Sequence, residues 1–174
     1  MTMFFLMRMT HILLGVFWAG TIFFTVLYLI PATRDVGPGA AGILPALKKR
    51  GYFTFLPIIA LLTLASGFWL YMQQMTAGGP EFAAAWRATR AAKAYNIGAV
   101  TGLVAFLLGF LWLRPANMRM IELIEQMGGA GAGADRAAIE AELGRVRASA
   151  WAAIRAVAFL LLVAVITMSV ARYK

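Results

Sequence analysis

The chain contains no cysteine and a single histidine, His11. Without thiols there can be no disulfide, thiolate metal site, iron–sulfur cluster or c-type haem attachment. Acidic residues are also scarce, with seven Asp and Glu against sixteen Lys and Arg, for a net charge of +9. Charged residues make up 13% of the 174, where soluble domains carry roughly 25%. That deficit, together with 62% hydrophobic residues, excludes an ordinary soluble domain and indicates a membrane protein. The sequence shows no nucleophile–base triad, no paired-carboxylate site and no phosphate-cradling glycine loop. No acidic residue lies in an apolar run, which argues against a carboxylate-based proton pump. The balance leans away from an enzyme. The basic residues cluster between the apolar runs, so anionic lipid head groups explain them better than nucleic acid does.

Four apolar runs are present, over residues 9–30, 52–72, 95–113 and 150–171. Each approaches the ~20 residues a helix needs to cross a bilayer. Open sheets cannot span lipid and four such runs cannot close a barrel. The expected fold is therefore all-α: a four-helix transmembrane bundle, forming one integral membrane domain over 1–174. The first run is too long for the ~7–15 residue core of a signal peptide, and it reads as a retained span.

The connections carry strong punctuation. Pro31, Gly37-Pro38-Gly39, Gly42 and Pro45 predict a broken first connection, which ends in the basic anchor Lys48-Lys49-Arg50. Pro80 is placed to open a helix, with Glu81 at its positive end. Residues 82–113 could then form one long helix with an amphipathic first half. Arg114-Pro115 predicts the end of the third span. Residues 117–127 read as a short amphipathic helix, 128–134 as a glycine–alanine hinge, and Asp135 as an N-cap. Together, residues 116–149 predict a helical hairpin outside the membrane between spans three and four.

Counting Lys and Arg sets an expected orientation. The side holding the termini carries six, including Arg172 and Lys174, and the opposite side carries ten. The richer side is usually cytoplasmic, so both termini are expected outside an inner membrane, in the periplasm of a Gram-negative cell. Small residues should let the helices approach closely: Gly15 and Ala19 in span one, Gly98 and Gly102 as a GxxxG pair in span three, and Ala150 to Ala156 in span four. Pro57 should kink span two, leaving Thr63 and Ser66 to bond freed carbonyls.

An intramembrane ionisable residue is a functional candidate, and His11 is one. Up-down topology puts His11, Gln73, Gln74, Lys93, Tyr95, Asn96, Thr167, Met168 and Ser169 towards one end, where they could line a shared pocket. Buried there, His11 should be neutral and face Met168 and Ser169 of span four and Tyr95 or Asn96 of span three. Met3, Met7 and His11 share a helix face at spacings of four. Thioether and imidazole suit Cu(I), and both can be axial haem ligands, so His11 and Met168 could clasp a haem.

The segment His11-Ile-Leu-Leu-Gly-Val-Phe-Trp18-Ala-Gly20 resembles the first-helix motif of the CopD/HemJ-like integral membrane proteins. Lys49-Arg50-Gly-Tyr52, Pro57, Ser66-Gly67 and the lysine entering span three are also similar to that family, as is the ending Met168 to Tyr173. The family includes copper-resistance membrane proteins and HemJ-type protoporphyrinogen oxidases. The resemblance implies haem or porphyrin chemistry at His11 and Lys93. Three functions follow as expectations. The first is an accessory subunit of a membrane complex or a homo-oligomer. The second is a haem b or porphyrin binder using His11, Lys93 and Met168. The third is copper handling through His11, Met7 and Met3.

Overall fold

The computed structural model describes residues 2–129 and 134–171. Of the expected hinge at 128–134, Gly128 and Gly129 end one helix and Ala134 begins the next, while residues 130–133 lie outside the described residues, as does the basic end from Arg172 to Lys174. In order, the helices are α1 (Thr2–Phe24), α2 (Ile30–Val36), α3 (Ile43–Lys49), α4 (Tyr52–Thr76), α5 (Gly79–Ala88), α6 (Arg90–Leu108), α7 (Arg114–Gly129) and α8 (Ala134–Val170). The four helical runs long and apolar enough to cross a membrane are Thr2–Ala40, Tyr52–Thr76, Arg90–Gly128 and Asp135–Val170. The expected all-α bundle of four spans is the fold, and the chain is an integral membrane protein.

The prolines do not end helices as expected. The helix runs on through Pro31 as far as Val36, where Gly37 at φ 66° ends it, and through Pro115 as far as Gly129. At ~1.5 Å per residue such a run exceeds the roughly 40–45 Å of a whole bilayer. The reason lies just ahead of each proline. Thr25–Leu29 precedes Ile30-Pro31, and Gly109–Leu113 precedes Arg114-Pro115; both stretches are π-helical. The Ile30 N–H reaches Thr25 O, and the Arg114 N–H reaches Gly109 O, each one residue further back than in an α-helix. Proline lacks an N–H and crowds the carbonyl four residues earlier. One wider turn shifts the bonding pattern and lets the helix continue past the ring. The amphipathic stretch 117–127 is thus the continuation of span three rather than a separate helix.

Other boundaries also differ from the expectations. The first connection is itself helical, with α2 and α3 joined by a 3-10 turn over Gly37–Ala40. Gly51, at φ 78°, makes the left-handed turn from α3 into α4, a conformation that disfavours a Cβ. The long helix expected over 82–113 is broken at Thr89, whose ψ of 153° is extended. Its Oγ1 accepts the Ala92 N–H at 3.1 Å and so caps α6. Pro80 does open α5, with Glu81 in the first turn. Asp135 lies inside the first turn of α8 instead of capping it.

Spans one and two pack tightly as one pair, as do spans three and four; contact between the pairs is lighter. Small residues make these seams. A Cβ on Gly15 would touch Thr63 of span two at 3.4 Å. On Gly98 it would stand 2.7 Å from the Met168 side chain of span four, and on Gly102 it would meet Leu64 of span two at 3.7 Å. The GxxxG pair thus serves two neighbours within the chain. Trp18, Ile22, Ala60, Ala105 and Leu113 form a core that continues through Met120, Leu123 and Leu143 into the hairpin of α7 and α8. Val16, Phe17, Leu27, Phe55, Phe68, Leu111 and Phe159 are exposed on the spans and form a lipid-facing surface.

The hairpin of α7 and α8 is held at its surface by Arg119. Its Nη2 lies 2.7 Å from Glu142 Oε1 and its Nη1 lies 3.1 Å from Glu122 Oε2. Hydrogen bonding to Glu142 first, and then to Glu122, holds the guanidinium above its usual range.

Candidate functional site

His11 lies about two and a half turns into α1. Its Nδ1 is 2.8 Å from the backbone oxygen of Thr63. Thr63 is close to the middle of α4, so His11 faces the centre of span two rather than a pocket at the terminal end. Gly67 makes the room: a Cβ there would stand 2.6 Å from His11 Cε1. A carbonyl oxygen only accepts, so Nδ1 donates, and in the neutral ring Nε2 keeps its lone pair. The same oxygen also accepts from Ser66 Oγ at 3.0 Å. Ser66 and Thr63 hydroxyls both bond back along their own helix, to Leu62 O at 2.7 Å and Ile59 O at 2.8 Å.

The expected partners of His11 are engaged elsewhere. Met168 packs over Gly98 of span three. Lys93, Asn96 and Ser169 are exposed, as are Gln73 and Gln74. Met7 is half-buried and Met3 exposed, although both share the His11 face of α1. Tyr95 and Thr167 are half-buried, with Thr167 Oγ1 turned towards Gly98, so the polar residues at the terminal end do not converge on His11. The reason is the tight pairing of spans one and two, which turns the imidazole onto α4.

The cavity lies towards the opposite end, where the two helix pairs meet above the hairpin. It measures about 950 Å³ and is partly open to the surroundings. That is near the upper end of the roughly 300–1,000 Å³ of small-molecule pockets. Its deep wall is apolar and lies within the spans: Trp18, Ile22, Ala60, Ala105, Ile154 and Val157. Both π-helical turns contribute, through Thr25 and Leu29 on one side and Gly109, Phe110 and Leu113 on the other. Its mouth carries Arg34, Arg114, Arg136 and Arg147, with Glu140 as an acidic residue among them.

The arginines are not equivalent. Arg136 Nε bonds Glu140 Oε1 at 3.1 Å, so that pair is largely neutral. Arg34 lies with its guanidinium carbon 4.4 Å from the centroid of the Trp151 ring, which fixes the side chain while leaving its N–H edges available. Arg114 donates from Nε to Phe53 O at 3.2 Å. That oxygen is the one Pro57 cannot serve, because proline has no N–H for the carbonyl four residues back. The expectation gave this task to Thr63 and Ser66; a side chain from span three performs it. Arg147 has no ion pair among the described residues. Three guanidinium groups thus remain to present positive charge at the mouth.

No family model, curated protein or solved structure matches this chain. The site is therefore read on its own chemistry. Sequence reasoning weighted the lone histidine and missed the cavity. The signals available for it were the two X-Pro steps at similar places in spans one and three and the arginine at each, Arg34 and Arg114.

Proposed function

We propose that this protein is a membrane-embedded binding protein that holds an amphiphile in the hairpin-end cavity, as an accessory subunit of a larger membrane complex. The lining carries the reading. It is apolar at the depth of the spans and cationic at the hairpin end, so a ligand filling it has a greasy body and a polar, anionic end. Lys48, Lys49 and Arg50 lie in the neighbouring connection, a basic anchor suited to head-group level. By the Lys and Arg balance the hairpin end faces the cytoplasm, and both termini lie outside.

Gly144 tests this reading. It lines the cavity, and a Cβ built there meets nothing within 4 Å. Gly144→Leu should stabilise α8 by ~1 kcal/mol through helix propensity while its side chain fills the mouth. Native mass spectrometry from mild detergent should show a lipid-sized adduct on the wild type and little on Gly144→Leu, with the melting temperature held or raised. Equal adducts on both proteins would sink the cavity reading.

A second reading is favoured by His11. An imidazole that donates Nδ1–H to a backbone carbonyl and keeps Nε2 bare matches the way metal-ligating histidines are oriented. His11 would then be a residue that holds a haem b, as the likeness of its helix to CopD/HemJ-like proteins implies. Met168, turned onto Gly98, is not poised as the second ligand. Protein from haem-replete cells should carry a Soret band that disappears in His11→Ala; a colourless wild type removes this reading, and copper loading through His11, Met7 and Met3 is then the remaining metal hypothesis.

A further inference from the structure

We infer that the cavity is a selective site for one anionic phospholipid drawn from the leaflet on the hairpin side, read by Arg34 and Arg147. The inference rests on the amphiphile reading above and adds the chemical class of the head group. The cavity's two halves are stacked along the bundle axis. Trp18, Ala60, Ala105 and Val157 belong to the buried core of the spans, while Arg34 and Arg147 stand at the mouth. A molecule occupying both halves must lie with its chains towards the bilayer centre and its charge towards the hairpin. That is the orientation of a lipid in the adjoining leaflet. A free phosphate would use the mouth alone and leave the apolar half empty.

The charge sets the class. With Arg136 neutralised by Glu140, the mouth keeps a surplus of positive charge, all of it guanidinium. Guanidinium is planar and offers paired N–H donors that match two oxygens of one phosphate. Arg34 is held against Trp151, so it meets an anion without having to be immobilised on binding. A zwitterionic head group would bring its own ammonium into this field and gain little from it.

The experiment uses the full-length protein in mild detergent and three probes: dioctanoyl-phosphatidylglycerol, dioctanoyl-phosphatidylcholine and inorganic phosphate. Binding is read by native mass spectrometry and by tryptophan fluorescence, since Trp18 and Trp151 both line the cavity. The wild type should bind the glycerol lipid about tenfold more tightly than the choline lipid. An Arg34→Gln, Arg147→Gln double variant, which loses the Trp151 contact but should stay folded, should bind the two alike. If the wild type already binds both lipids alike, the anionic selectivity is wrong and the amphiphile reading stands. If neither lipid binds, or if Gly144→Leu binds both as well as the wild type does, both ideas fail. If inorganic phosphate alone gives the full response at the same concentration, the site takes a free anion, and both ideas again fail.

Discussion

Gly67→Leu is expected to force spans one and two apart. A Cβ at this position would stand 2.6 Å from His11 Cε1 and 2.8 Å from Nδ1. The ring cannot yield cheaply, because its Nδ1–H is bonded to Thr63 O at 2.8 Å. Overpacking of this kind costs about 1–3 kcal/mol. If the ring swings away, an unpartnered N–H among apolar side chains costs about 1–3 kcal/mol more. Gly20→Leu is the matched control, because a Cβ there meets nothing within 4 Å. Unfolding of the detergent-solubilised protein should show a large loss for Gly67→Leu and little for Gly20→Leu. His11→Ala should restore much of the loss when combined with Gly67→Leu. Equal stability of the two leucine variants would mean that His11 and Gly67 are not in contact.

The second large effect is expected at Arg114, and it is conditional on Pro57. Arg114→Leu removes the donor to Phe53 O, a carbonyl that has no N–H from residue 57. That bond is exposed at the end of span two, so losing it costs about 0.5–1.5 kcal/mol. Pro57→Ala supplies the missing backbone N–H, so Arg114→Leu should then cost far less. The double-mutant cycle should therefore give a coupling of about 0.5–1.5 kcal/mol. Strictly additive effects would show that Arg114 serves another purpose there. The cycle must be run on lipid-free protein, because Arg114 also lines the cavity.

Both predictions concern places where the spacing of apolar residues says nothing. The all-α class and the number of spans were legible in the sequence. Uninterrupted apolar length has one physical meaning in lipid, where every backbone group must be satisfied within the helix. The small residues at Gly15, Gly98 and Gly102 were legible as seams too, because only a missing side chain lets backbones approach. Which seam each one served was not. Gly98 faces span four and Gly102 faces span two, although they lie one turn apart.

Proline was the misleading signal. Local rules read Pro31 and Pro115 as helix ends, and both rods continue through a π-turn. The choice between breaking and widening depends on what the rod gains further along. Here, past Pro115, the gain is the packing of Met120 and Leu123 with Leu143 and Ala150 of α8, a tertiary quantity. His11 shows the same limit. The sequence marked it as unusual and put it near the right end of span one. Its partner was decided by tight pairing of spans one and two, which brought Thr63 O and the gap at Gly67 to the ring. The cavity was the least legible of all. It is formed where two helix pairs with tight internal seams meet only lightly, and a space between elements leaves no mark in the sequence of any one of them.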